Sequence, residues 1–204
     1  MKFYSYIIPR DFGFAPNPYF EYCTLATCKP RIRKGAQIGD WIGAFGSARM
    51  TISKKLVVLM QVEEILTFDE YWEDDRFIVK RPVFGKSKMH MYGDNIYHHV
   101  EDRWVQEPSH HSNTDNSINY LNLNRDTKVD RVLVATEFYY FGSNAISMPE
   151  EFEFLIAKGR NHRTCNDEIM IQKFIDYVRH EYSIGIHGIP YSRENGKFIH
   201  YGGK

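Results

Sequence analysis

The opening residues KFYSYIIP alternate in a run rich in Tyr, Phe and Ile, which predicts a β-strand closed by Pro9. RDFGFAPNPYFEYCTL follows, and its glycine and prolines predict an ordered loop packed by its own aromatics. DWIGAFGS reads as a strand entered from a turn at Gly39-Asp40. KKLVVLMQVEEILTF (54–68) is the longest apolar stretch, and Val57, Val58 and Val62 favour a buried strand. FDEYWEDDRF predicts a short helix or turn with Asp69 as its N-cap. DRVLVATEFYYFG (130–142) predicts another strand, terminated by Gly142.

Two helices follow late in the chain. SMPEEFEFLIAKG (147–159) has Pro149 at its start, acids in its first turn and Lys158-Gly159 at its end. NDEIMIQKFIDYVRHEY (166–182) puts Ile171, Phe174, Ile175 and Val178 on one face, with Asn166 placed to cap it. Between Arg81 and Thr127 periodicity fails, and residues rich in His, Asn, Ser, Gly and Asp predict long loops between short strands. The tail after Gly185 has no assignable pattern. Strands early and helices late predict an α+β chain built on a curved, mostly antiparallel sheet or a small barrel with C-terminal helices near 149–182.

Length changes this picture little: 204 residues suffice for one substantial core, so a single domain over 1–204 is expected, with a polar loop region near 81–127. Charge sharpens it. Lys and Arg balance Asp and Glu at 26 each, which argues against a surface that coats nucleic acid and leaves room for a local basic patch. That patch is the run Lys29, Arg31, Arg33 and Lys34, whereas EEILTFDEYWEDD is acidic. Three cysteines make no disulfide framework. MKFYSYIIPRDFG lacks a leader pattern, and no apolar run reaches the ~20 residues that cross a bilayer. A cytoplasmic chain with no membrane partner is the expectation.

The most specific stretch is KGAQIGDWIGAFGS. Gly43 and Gly46 remove side chains where something approaches the backbone closely. Arg31, Arg33 and Lys34 would meet phosphates at the mouth of that surface, Ser47 would bind oxygens, and Trp41 or Phe45 would stack on a base. The plainer alternative is a bent strand whose glycines serve packing alone. HMYGDNIYHHVEDRW with EPSHHS gathers His90, His98, His99, His110 and His111, and here Tyr92, Asp94 and His98 are the first candidates for acid–base chemistry. No HExxH, paired CxxC, or His-x-Glu with a following CxxC is present, which argues against known zinc signatures, base deaminases included. Solvated loop histidines are the competing account. Cys28, beside Lys29 and Arg31, is a candidate nucleophile toward a pyrimidine ring or glycosidic carbon, against the commoner buried structural thiol. Arg10, just past the first strand, and Glu137, late on another, would face a ligand or serve as structural polar residues.

KGAQIGDWIGAFGS followed by Val57–Glu63 resembles PUA-like modules (ASCH, EVE and YTH), small barrels that bind RNA or modified bases. More closely, MKFYSYIIPRDFGFAPNP, YCTLATCKPRIRKGAQIGDWIGAFGS and EFYYFG resemble the second of the nucleotide-modification-associated domain families, grouped by association with phage and bacterial systems that modify DNA bases. The resemblance implies a PUA-like barrel, a nucleotide or modified-base DNA partner, and protein partners of a modification system. It assigns no reaction and no cofactor. Three functions follow: a nucleobase-modifying enzyme or component, a non-catalytic reader of modified bases, and a phage–host protein-interaction module.

Overall fold

The computed structural model describes residues 1–159, 161–193 and 197–203. In chain order its strands are β1 (Phe3–Ile8), β2 (Cys23–Leu25), β3 (Trp41–Gly46), β4 (Leu56–Gln61), β5 (Glu64–Leu66), β6 (Tyr97–Val100), β7 (Arg103–Gln106), β8 (Val132–Ala135), β9 (Phe138–Tyr140), β10 (Arg163–Cys165) and β11 (Gly185–Ile186). The helices are α1 (Pro30–Gly35), α2 (Phe68–Glu73), α3 (Lys88–Met91), α4 (Tyr120–Asp126) and α5 (Glu168–Glu181). The chain divides into two compact units, each drawn from three separated segments, so no boundary runs along the sequence.

The first unit comprises Met1–Phe12, Ala36–Glu63 and Ala135–Glu194. Its six-stranded sheet has the order β10-β1-β3-β4-β9-β11. β1/β3 and β9/β11 pair parallel, and the other neighbours pair antiparallel. The expected face of α5 is buried: Ile171, Phe174, Ile175 and Val178 join Phe3, Trp41, Leu59 and Tyr139 in one apolar core. Asp167, not Asn166, caps that helix by accepting the Met170 N–H. The helix expected over 147–159 is a 3-10 turn, Glu150–Leu155.

The two glycines of β3 have local causes. A Cβ on Gly43 would meet the Phe3 ring at 2.6 Å, and one on Gly46 would collide with the Ile52 carbonyl. Trp41 and Phe45 are 1% and 0% exposed. Their rings pack the core, so the stacking expected of them is replaced by burial.

The second unit comprises Gly13–Gly35, Glu64–Val134 and Asn195–Lys204. It carries a three-stranded sheet of order β2-β8-β5 and the hairpin β6–β7. The hairpin turns at Glu101-Asp102, whose φ angles of 49° and 60° suit the right-handed strand twist. Tyr97 pairs with Gln106 across it, so both side chains share one face while His98 takes the other. α2 starts at Thr67, which forms a capping box with Glu70. Asp69 sits inside that first turn and accepts from His99, so the cap expected at Asp69 lies two residues earlier. The 81–127 region is more ordered than its composition suggested, holding α3, the hairpin and α4. Among the described residues no sheet closes into a barrel, and the protein is a mixed α+β fold with several sheets. The strand predicted over 130–142 breaks at Thr136-Glu137, where both backbone N–H groups point to Glu63.

Candidate active site

In the second unit the chain leaves β2, turns, and enters α1. Cys28 and Lys29 occupy that turn with φ of 59° and 40°. Left-handed backbone on a non-glycine residue costs ~1–3 kcal/mol and persists only where surroundings enforce it. Three groups enforce it here. Asp126 accepts the Cys28 N–H at 3.0 Å, Arg33 donates to the Cys28 carbonyl at 2.9 Å, and α1 begins directly at Pro30. The elbow leaves the Cys28 side chain partly exposed.

Opposite Cys28 lies His111. Its Nε2 is 3.8 Å from the sulfur, and its Nδ1 is 2.8 Å from Asp126 Oδ2. The order is thiol, imidazole, carboxylate, each ring nitrogen having one partner. His111 and Asp126 are 1% and 0% exposed. Phe14 packs against the imidazole at 4.7 Å, and Tyr201 at 5.6 Å. Tyr97 donates to Asp126 Oδ2 at 3.1 Å, and Gln106 bonds both the Tyr97 hydroxyl and the His111 carbonyl. Burial beside Asp126 holds the Tyr97 phenol well above its ordinary range, so it remains a donor.

Electrostatics follow from this geometry. Burial would lower His111, but Asp126 and Cys28 outweigh it and carry the imidazole up to about 9. Burial would raise Asp126, but His111, Arg125 and Arg33 hold it down at about 2. His111 is therefore an imidazolium at neutral pH, with its Nε2 proton directed at sulfur. Arg33 deepens the positive field: fully buried, it donates only to backbone carbonyls, those of Cys28, Asp126, Val129 and Arg131. Burial draws Arg33 down, with Asp126 and Cys28 opposing.

Cys28, His111 and Asp126 offer ligand atoms within 4.8 Å of one another, compact enough to test for a metal. Asp126 and Cys28, however, lie on opposite nitrogens of His111. Asp126 Oδ1 already accepts from Cys28 N–H and Arg125 Nε, and Oδ2 from His111 and Tyr97. That is a relay with a saturated carboxylate, not a chelate.

The other sequence candidates lie apart from this relay. Arg31 and Lys34 are exposed on α1, while Arg33 supports the elbow from inside and has no edge for a phosphate. Asp94 is buried and accepts from Thr24 Oγ1 at 2.7 Å and Tyr71 at 2.9 Å. His98 stacks on Trp72 at 3.9 Å and meets Glu107 at 3.0 Å. Tyr92 is buried, and its hydroxyl accepts the Ile199 N–H. These three side chains keep separate partners. In the first unit, Glu137 forms a two-point pair with Arg179 at 2.7 Å, Ser47 accepts from Arg49 N–H, and Arg10 is exposed.

Sequence reasoning named Cys28 and included His111 among the clustered histidines, but it missed Asp126, Tyr97 and Arg125. One signal existed: Asn122, Leu123 and Asp126 share the buried face of α4, and an acid on a buried face needs a partner.

In this α+β protein Cys28, His111 and Asp126 form a Cys–His–Asp relay at a strained elbow, with the imidazole and carboxylate buried and the thiol partly exposed. A family model described as nucleotide modification associated domain 2 matches residues 1–197, and the chain belongs to that family. Membership ties it to nucleotide modification. No curated protein and no solved structure matches it. Among the described residues no helix is long and apolar enough to cross a membrane.

Proposed function

We propose that this chain acts as one nucleotide-modification-associated domain and is a cysteine-dependent enzyme acting on a pyrimidine base. Cys28 is the nucleophile, His111 moves the proton, and Asp126 orients and charges His111. The observation that carries this reading is the alignment of Cys28 Sγ, His111 and Asp126 at 3.8 and 2.8 Å, with the imidazole flanked by the rings of Phe14 and Tyr201.

The chemistry balances with the residues present. The Cys28 thiol gives its proton to His111 Nε2, the resulting thiolate lone pair forms a bond to the ring carbon C6, and the C5=C6 electron pair moves toward the C4 oxygen. The His111 Nε2 proton then neutralises the resulting enolate at oxygen or C5. Reversal returns the proton to His111 and expels Cys28. The transient adduct makes C5 electron-rich, the condition for exchanging a substituent there. Asp126 keeps the imidazole in one orientation through both proton transfers.

Trapping tests this directly. Incubation with a 5-fluoropyrimidine deoxynucleotide, as monomer and within a short oligonucleotide, is expected to give an intact-mass adduct on Cys28. The fluorine withdraws electrons from the ring and favours addition at C6, and acid quenching captures the adduct before it reverses. The Cys28→Ser and His111→Gln variants should form none. Absence of an adduct in the wild type, with both substrates, contradicts base addition. In that event the reader and protein-interaction readings become the better accounts.

A further inference from the structure

We propose that the Cys28 site recognises a phosphate-bearing substrate, its phosphate held by the outer edge of Arg125 and its ring laid against Tyr201. This rests on Cys28 being the nucleophile and names the substrate class for it.

Arg125 is anchored on one side only. Its Nε donates to Asp126 Oδ1 at 3.2 Å and its Nη2 to Asn122 Oδ1 at 2.7 Å, while Nη1 has no partner among the described residues. The side chain is 31% exposed, so water, or a ligand, reaches it. Asp126 already accepts from His111, Tyr97 and the Cys28 N–H and has little need of a further cation. The free edge of a guanidinium fixed at its other edge is a preorganised donor pair for a phosphate oxygen.

Charge points the same way. Four basic groups, Lys29, Arg33, His111 and Arg125, act on the Cys28 surroundings, against the Asp126 carboxylate and a Cys28 thiolate. Positive charge remains in excess even with the thiolate formed. An anionic substrate balances it, and a neutral one leaves it unbalanced in a half-buried site.

Tyr201 supplies the flat surface. Its N–H donates to the His110 carbonyl and its carbonyl accepts from Asn122, both at 2.6 Å. That backbone clamp sets the ring 5.6 Å from His111 and 5.5 Å from the Arg125 guanidinium carbon. The guanidinium therefore lies over the Tyr201 ring, and both stand beside the imidazole that faces the nucleophile. A heterocycle with a phosphate attached matches both.

The phosphate has two sources, a free nucleotide or a nucleic-acid backbone, and one experiment separates them. Calorimetry on the Cys28→Ser chain would use thymidine, thymidine 5′-monophosphate and a short thymidine oligonucleotide. The monophosphate should bind roughly 10- to 100-fold tighter than the nucleoside, the range of one charge-assisted contact. Arg125→Gln should erase that ratio and leave nucleoside binding in place. Tyr201→Leu should weaken nucleoside and nucleotide alike, with Tyr201→Phe restoring both. An oligonucleotide that outbinds the monomer assigns the phosphate to a polymer, and the reverse assigns it to a free nucleotide.

If Arg125→Gln unfolds, competition by inorganic phosphate gives the same answer: it should displace the monophosphate and spare the nucleoside. Equal binding of nucleoside and nucleotide, a ratio that survives Arg125→Gln, failure of phosphate to compete, or no binding of any probe each overturns the inference. None of these touches the nucleophile itself, which alkylation of Cys28 in the free protein tests separately.

Discussion

The second unit holds two buried polar clusters, each with a cysteine, and they are built on opposite principles. Around Cys23, burial wins. Its thiol is pushed up to about 12, Asp94 up to about 6 and Lys80 down to about 8, all toward their neutral forms. Around Cys28, specific partners overcome burial: His111 is carried up to about 9 and Asp126 down to about 2, both toward their charged forms. The difference is one of contact. Lys80 spreads its ammonium over the Asn17 carbonyl, Asn17 Oδ1 and the Tyr22 carbonyl. Asp94 accepts two hydroxyls, whereas Asp126 accepts a buried imidazolium at 2.8 Å. A network whose members are all drawn toward their neutral forms stabilises a core. A charged relay beside a partly exposed thiol is the arrangement on which the proposed chemistry rests.

The strongest challenge to this contrast is to remove the proton carrier. His111→Gln should cut turnover of any Cys28-dependent reaction by about 100- to 10,000-fold, while Cys23→Ala leaves turnover near the wild-type rate. Lys80→Met should do the opposite. It strands three buried acceptors and should lower unfolding free energy by ~3 kcal/mol in urea titration, with the Cys28 alkylation rate of the folded fraction unchanged.

The pH dependence of stability sharpens the comparison further. His111 is raised in the folded state from 6.5 to about 9, so its contribution is complete below pH 6.5 and is lost as pH rises through 9. Lys80, depressed from 10.5 to about 8, gains back stability only above 8. Between pH 6.5 and 8 the urea midpoint should therefore fall in the wild type and stay flatter in His111→Gln. Asp126 contributes above 3.8 and loses its share as pH falls toward 2. Smallest is Tyr97→Phe, which removes one of four bonds to Asp126 and should slow the reaction several-fold, by ~1 kcal/mol.

Fold and site were legible to different degrees. Periodicity found β1, β3, β4 and the buried face of α5, because local alternation encodes which side faces a core. It did not find the break between β8 and β9, since the Glu63 carboxylate that draws both backbone N–H groups lies far away in sequence. The Gly43 and Gly46 pattern was visible, but its cause, Phe3 and Ile52, was not. Of the site, Cys28 and the cluster containing His111 could be named, because thiols and paired histidines stand out in any composition. Asp126 could not, since it is 98 residues from Cys28, and nothing local marks a carboxylate that will meet an imidazole. Tyr92, Asp94 and His98 looked equally rich in usable groups, and only three-dimensional partners separate a core hydrogen bond from a relay.

The most direct measurement is the rate at which iodoacetamide modifies Cys28 at pH 6.5, mapped by peptide mass spectrometry in the wild type and in His111→Gln. An imidazolium that favours the Cys28 thiolate predicts wild-type modification at least ~10-fold faster than in the variant, with Cys23 unmodified in both. Equal rates in the two proteins would contradict the relay and return Cys28 to the role that Cys23 already plays.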